Sequence, residues 1–281
     1  MNRDEKTTQL IRDALNEDIG SGDATTEALL DGTETGTARA VAKQNDLVIA
    51  GIGIFRDVFL IHDPSLRVTL HKEDGDKVRS RDVLAEISGS LQSIITAERV
   101  ALNFFQHLSG IATATHAFVE KIIDTDAVIL DTRKTLPGMR LLEKYAVTMG
   151  GGRNHRFGLY DAIMIKDNHI SAAGSVSGAV ETVRNANPRR LKIEVEVKTL
   201  EELDEVLLLD GIDIVMLDNM SVAHMREAVT RANRRFLIEA SGNVSLSNVR
   251  DIAETGVDYI SVGAITHSAP AADISLLIEG E

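Results

Sequence analysis

The 281-residue chain contains no cysteine, which excludes disulfides, thiolate metal ligands and a cysteine nucleophile. Basic charge is scarce: 30 Lys and Arg against 43 Asp and Glu leave a formal net charge of −13. Sequence-independent nucleic-acid binding needs a basic surface, so no nucleic acid is expected as a partner. Long apolar runs are also missing. The longest candidate, Val48 to Phe55, is interrupted by Gly51 and Gly53 and falls far short of the ~20 residues that span a bilayer. No membrane partner is expected. Met1 to Glu5 is polar and carries both signs of charge, unlike a secretory or transit segment, and the expected location is cytoplasmic. Prolines number only four, and no repeat or low-complexity tract stands out.

Hydrophobic residues make up 43% of the chain, enough for a sizeable core. Over the first part the patterns are mixed. Thr7 to Glu17 has helical spacing, Gly20-Ser21-Gly22-Asp23 stops it, and Thr25 or Thr26 can cap the next turn. Thr37 to Ala42, Leu47 to Ala50, Arg67 to Leu70 and Asp82 to Ile87 read as short strands, with a turn at Asp74-Gly75-Asp76. An amphipathic helix is expected from Thr96 to Leu108, with Arg99 near its start.

Beyond residue 125 the pattern changes. Short apolar, β-branched runs alternate with helical segments: Ala127 to Leu130, Ala162 to Ile165, Ile193 to Val195, Ile212 to Leu217, Phe236 to Ile238 and Tyr259 to Val262. Such runs, buried on both faces, are the mark of a parallel sheet, either a βα barrel or an open doubly wound sheet. Both architectures bind ligands where the strands end. Just past the runs lie Asp131-Thr132-Arg133-Lys134, Lys166-Asp167-Asn168-His169, Glu196, Asp218-Asn219, Glu239 with Ser241-Gly242-Asn243, and Gly263-Ala264. A common functional mouth follows.

Charge placement sharpens this. Arg133, Lys134, Arg140, Lys144, Arg153, His155, Arg156, Lys166 and His169 crowd one segment of an acidic chain. Charge runs are usually solvated loops, but Gly150-Gly151-Gly152 lets the backbone approach a ligand, and Arg133 and Lys166 fall at strand ends. A polyanion site is the sharper reading. Opposite it, Glu196 and Asp218 suit a ribose diol, Mg²⁺ or both, since Mg²⁺ takes oxygen ligands; the bland alternative has them cap the next helices. Ser241-Gly242-Asn243 and Gly263-Ala264 suit a phosphate on backbone N–H groups, although Ser241 could be an N-cap. No G-x-G-x-x-G, Walker A, G-x-S-x-G or H-E-x-x-H pattern is present.

The blocks TRKTLPGMRLLEKYAV (132–147) and GGGRNHRFGLYDAIMIKDNH (150–169) closely resemble the quinolinate phosphoribosyltransferase family. EDIGSGDATT (17–26), AERVALNFFQHLSGIATAT (97–115), IEVEV (193–197), VMLDN (215–219), EASGN (239–243) and GVDYISVGAITHS (256–268) extend the likeness over nearly the whole chain. The resemblance implies an α/β fold: an N-terminal α/β sandwich domain over residues 1–110, to which the tail 267–281 returns, and an open α/β barrel over 111–266. It implies transfer of phosphoribosyl from phosphoribosyl pyrophosphate to quinolinate with decarboxylation. It also implies Mg²⁺ with the sugar donor, no organic cofactor, and a homodimer with shared active sites. Carried over by position, Arg99 (from the partner), Arg133, His155, Arg156 and Lys166 face quinolinate. Thr132, Lys134, Glu196, Asp218, Ser241, Gly242, Asn243, Gly263 and Ala264 face phosphoribosyl pyrophosphate and Mg²⁺, with Lys134, Glu196 and Asp218 in the catalytic role. Three positions depart from the family: Leu136 stands where many members have Thr, Asn243 where many have Gly, and Arg81 where Gly is common. Two other readings stay open, a related transferase acting on nicotinate or another small acid, and a barrel that only binds a phosphorylated metabolite.

Overall fold

A computed structural model describes residues 5–278. Helices α1 (Glu5–Ile19) and α2 (Ala24–Leu29) are followed by strands β1 (Thr35–Ala42) and β2 (Leu47–Val48). Helix α3 (Ile52–His62) precedes β3 (Arg67–Leu70), β4 (Lys77–Val78) and β5 (Val83–Ser90), and the 31-residue α4 (Leu91–Lys121) comes next. From there strands and helices alternate: β6 (Val128–Leu130), α5 (Arg140–Met149), β7 (Ile163–Ile165), α6 (Asp167–Ala173), α7 (Val176–Asn185) and β8 (Ile193–Val197). The series continues with α8 (Leu200–Val206), β9 (Ile214–Asp218), α9 (Val222–Ala232), β10 (Leu237–Ser241), α10 (Val249–Ala253), β11 (Tyr259–Ser261), α11 (Ala264–His267) and β12 (Ile274–Ile278). Two compact units divide the chain. The first comprises Met1–Ala114, Pro137–Gly150 and Ala269–Glu281, the second Thr115–Leu136 and Gly151–Ser268.

The first unit is built on an antiparallel sheet in the order β12-β1-β5-β3. Its core gathers on α3 and α4, where Phe55 packs edge-on to Phe59 at 5.1 Å and against Phe105 at 5.2 Å. Burying each such ring contributes about 1.5–3 kcal/mol. Helix α3 was not expected, because Gly51 and Gly53 break the apolar run. Gly51 takes φ 84° and turns the chain into the helix, and Ile52, Phe55 and Phe59 then lie on its buried side. Helix α2 is capped by Asp23 rather than by Thr25 or Thr26. One carboxylate oxygen accepts from Thr26 N–H at 3.0 Å, and the other from the Thr26 hydroxyl at 2.6 Å. Helix α4 begins at Leu91, so Arg99 stands two turns inside it and not near its start. Ile94 and Ala97, fully buried, carry the apolar stripe back towards Leu91. Arg81 adopts φ 77°, which accounts for the glycine common there in the family.

The C-terminal segment is tied to α4 before it enters the sheet as β12. Ala272 N–H donates to Gln106 O at 2.9 Å, and Gln106 Nε2 donates to Ile274 O at 2.7 Å.

In the second unit six parallel strands run in the order β6-β11-β10-β9-β8-β7, the edges β6 and β7 remaining unpaired with each other. This is an open α/β barrel. Arg153 adds a single bridge at the β6 edge, donating to Ile129 O and accepting from Asp131 N–H. Parallel partners point to the same face, and the face alternates along each strand. Ile193, Val195, Val197, Val215, Leu217, Ile238 and Ala240 are all buried. The alternate positions form rows facing the other way: Met164 beside Glu194, Glu196 beside Met216 and Glu239, Asp218 beside Ser241 and Ser261. Among the described residues no helix is long and apolar enough to cross a membrane.

Gly110, inside α4, lies so close to the tail that an added Cβ would press into the backbone carbonyl of Pro270. Gly110→Ala is expected to cost roughly 1–3 kcal/mol and to speed amide exchange along β12 more than along β3. An unchanged denaturation midpoint would contradict this packing.

Candidate active site

The inward rows and the loops beyond them enclose a cavity of about 700 Å³, a size suited to small-molecule ligands. Its lining includes Thr132, Arg133, Lys134, His155, Arg156, Lys166, Glu196, Asp218, Ser241, Gly242, Asn243, Gly263 and Ala264. Every residue expected from the second unit therefore meets in one place. Arg99 belongs to the first unit, and its side chain is 61% exposed.

The cation-rich segment 133–169 is sorted by the fold. Arg133, Lys134, His155, Arg156 and Lys166 line the cavity, whereas Arg140 and Lys144 lie on α5 in the first unit. Arg153 occupies the bridge to β6, and His169 Nδ1 accepts from Lys166 N–H at 3.0 Å at the start of α6. Arg156 donates to Ala162 O at 3.2 Å. Burial, and then the charge of nearby Arg133, lower its pKa from the ordinary arginine value. Two guanidinium groups thus share one wall.

The carboxylates do not cap helices. Thr199 caps α8 and Ser221 caps α9, so Glu196 and Asp218 are left for the cavity. Ser241 closes β10, and Asn248 precedes α10, so Ser241 is not an N-cap either. Lys166 Nζ reaches Glu196 at 2.9 Å, although the lysine side chain is 43% exposed and the glutamate only 9%. Asn243 Nδ2 donates to Asn219 Oδ1 at 2.9 Å, and Asn219 Nδ2 donates to Asp218 Oδ1 at 3.0 Å. Lys134 is steadied by its backbone: its N–H donates to Thr132 Oγ1 at 3.0 Å, and its carbonyl accepts from Thr266 Oγ1 at 2.8 Å.

Beneath the mouth lies a group that strand-end reading did not find as a group. His155 Nε2 is 3.0 Å from Glu194 Oε2 and 3.6 Å from Glu239 Oε2, and both glutamates are buried. Burial and the neighbouring Glu194 push the Glu239 carboxyl up to about 8. The strict alternation in Ile193-Glu194-Val195-Glu196-Val197 was the available signal for Glu194, since it puts both glutamates on one face. Asn219, expected at the end of its strand, lines the cavity too, and so does Ser261, which was not singled out.

Fold and cavity together define a class: an open-barrel protein that holds anionic small molecules at the carboxyl ends of its strands. The comparisons agree. Residues 23–109 match the N-terminal domain of quinolinate phosphoribosyl transferase, and residues 111–277 match its C-terminal domain. A probable carboxylating nicotinate-nucleotide pyrophosphorylase of Synechocystis is 48% identical over 268 residues, 94% of this chain and 90% of that protein. A protein of the same name from Bacillus subtilis is 43% identical, covering 95% of this chain and 92% of that protein. The crystal structure of NadC from Streptococcus pyogenes superposes with a TM-score of 0.93 at 41% identity over all of both chains. The chain belongs to the quinolinate phosphoribosyltransferase family.

Unfolded, Glu239 ionises near the ordinary 4.5; folded, it keeps its proton to about 8. Between those values the folded state binds the extra proton, so stability falls as pH rises, by at most about 1.4 kcal/mol per pH unit. Denaturation midpoints measured from pH 5 to 8 should show that slope, and Glu239→Gln should flatten it. Equal slopes would mean that Glu239 is ionised throughout.

Proposed function

We propose that this chain transfers the phosphoribosyl group of phosphoribosyl pyrophosphate to quinolinate. The products are nicotinate mononucleotide, pyrophosphate and carbon dioxide, a decarboxylating pentosyl transfer in de novo NAD biosynthesis. The observation that carries this reading is one cavity in which Arg133, Arg156 and Lys166 stand with Glu196 and Asp218, in a chain of that family.

Quinolinate carries two carboxylates. Arg133 and Arg156, with Lys166 beside them and His155 next to Arg156, form a wall whose guanidinium and ammonium groups can hold both by charge-assisted hydrogen bonds and so aim the ring nitrogen at the anomeric carbon. The nitrogen–carbon bond forms as the bond from the anomeric carbon to pyrophosphate breaks, and the ribose ring gains positive charge. Glu196 and Asp218 stabilise that charge, directly or through the ribose hydroxyls. Lys134 faces the departing pyrophosphate, with Thr132, Ser241, Gly242, Asn243, Gly263 and Ala264 around the phosphates. The quaternised ring then accepts the electron pair left when the 2-carboxylate departs as carbon dioxide, and a solvent proton takes its place. Glu196 and Asp218 form an all-oxygen donor set, which fits Mg²⁺ bound directly or through substrate and water. When bound, the ion would neutralise pyrophosphate charge.

A homodimer in which the partner's Arg99 completes the acid pocket belongs to the same proposal, as does a cytoplasmic location. The exposure of Arg99 on α4 supports the shared site.

Incubation with quinolinate, phosphoribosyl pyrophosphate and Mg²⁺ should release carbon dioxide and nicotinate mononucleotide in equal amounts. Nicotinate in place of quinolinate should turn over poorly. Arg133→Ala or Lys166→Ala should lower kcat/KM by about 10² or more, the ~3 kcal/mol of a charged contact that the bound substrate desolvates. Near wild-type turnover in both variants would overturn the assignment. Arg99→Ala should be inactive alone and regain activity when mixed with Lys166→Ala, because one intact site forms across each mixed dimer. Purified mixed dimers without recovery would refute the shared site.

A further inference from the structure

Three titratable groups meet at the cavity floor, where His155 and Glu239 line it and Glu194 lies behind them, and the proposed reaction uses only His155 as a pocket residue. Glu194 is 3% exposed and Glu239 is fully buried. Glu194 Oε1 and both Glu239 carboxylate oxygens lie buried without a hydrogen-bond partner within range. Together with His155 they have the composition of a metal site, their ligand atoms all lying within 4.8 Å of one another.

Imidazole chemistry argues against a cation there. Arg156 N–H donates to His155 Nδ1 at 2.8 Å, so Nδ1 carries the lone pair. The ring proton of a neutral imidazole must then sit on Nε2, which faces Glu194 Oε2 at 3.0 Å. A protonated Nε2 has no lone pair to give a metal. It has a proton to give a carboxylate.

Both ring nitrogens of His155 are therefore engaged with the protein, and the backbone is engaged as well, since His155 N–H donates to Asp131 Oδ1 at 2.9 Å. The next residue is Arg156, whose guanidinium is attracted by Glu194 and repelled by Arg133. We infer that Glu194 is a positioning residue for the acid pocket: it fixes the His155 ring, whose Nδ1 anchors the Arg156 main chain and so aims the Arg156 guanidinium at a substrate carboxylate. On this account His155 acts on the substrate through Arg156, as a neutral ring, and is not itself a cation of the pocket. The inference rests on the quinolinate reading for the identity of the carboxylate, but the state of the His155 ring does not.

Two measurements test it. In protein labelled with ¹⁵N-histidine at pH 7, His155, identified by loss of its signals in His155→Gln, should show a bare Nδ1 and a protonated Nε2. It should keep that state when quinolinate is added. In steady-state kinetics Glu194→Ala should raise the KM for quinolinate about 10- to 100-fold, the effect of losing a hydrogen bond to a charged group. The KM for phosphoribosyl pyrophosphate should stay unchanged. Glu194→Gln keeps an amide oxygen that can accept from Nε2 and should recover most of that loss. A His155 ring that gains a second proton on binding quinolinate would overturn the inference, because it would make His155 a binding cation. So would a Glu194→Gln variant as impaired as Glu194→Ala, or equal rises in both KM values. If the quinolinate reading itself were wrong, the unmodified protein would show no turnover, while the tautomer could still be read without substrate.

Discussion

Two like charges held on one wall set the terms for this molecule. Arg133 and Arg156 repel each other, and the partial burial of Arg156 makes the repulsion harder to screen. An isolated loop would relieve it by swinging apart. Here one guanidinium follows β6, and the other donates to Ala162 O while the neighbouring His155 ring anchors its main chain. The barrel core maintains an arrangement that a dianionic ligand would stabilise. The acidic remainder of the chain sharpens the contrast, since at physiological salt a surface charge is screened beyond about 8 Å. An anion that reaches the mouth meets mainly the local field of the cavity, which is cationic on one wall and anionic along β8 and β9.

Strand alternation is what converts that local field into a layered one. Aliphatic side chains of β8, β9 and β10 are buried on one face, and the residues between them point into the barrel. Moving up β8, Glu194 supports His155 below the mouth, and Glu196 meets Lys166 at its rim. The two glutamates are two residues apart and serve different depths. Glu239, a neighbour of Met216 in the same layer as Glu196, keeps its proton because a second buried negative charge next to Glu194 would be too costly.

The barrel strands were legible because their apolar, β-branched runs survive in a single sequence; the strand-end rule then led to most of the polar cavity residues, and charge placement supplied His155 and Arg156. What escaped notice shared a cause: one local signal masked another. Two glycines hid α3, although Ile52, Phe55 and Phe59 keep helical spacing behind them. The capping role went to the threonines of α2 because they are good caps, yet Asp23 offers two acceptors where a hydroxyl offers one. The cationic segment read as a single patch, but α5 carries Arg140 and Lys144 into the first unit, a long-range event that charge counting does not register. Glu194 was overlooked because attention rested on strand ends, whereas its contribution comes from the strand's middle.

The loops after β9 and β10 show how a departure from the family pattern can be absorbed. Asn219, Gly242 and Asn243 all have positive φ, at 55°, 96° and 52°. Left-handed backbone costs most side chains roughly 1–2 kcal/mol, but asparagine tolerates it by local hydrogen bonding. Gly242 has no such freedom of replacement, because an added Cβ would collide with the Asn219 side chain. Asn243, where many relatives have glycine, gives up some backbone ease and gains an amide. That amide donates to Asn219, which in turn donates to Asp218. The carboxylate is thus oriented through the adjoining Asn219 and, beyond it, Asn243 from the neighbouring loop, so an asparagine at 243 adds a constraint on Asp218.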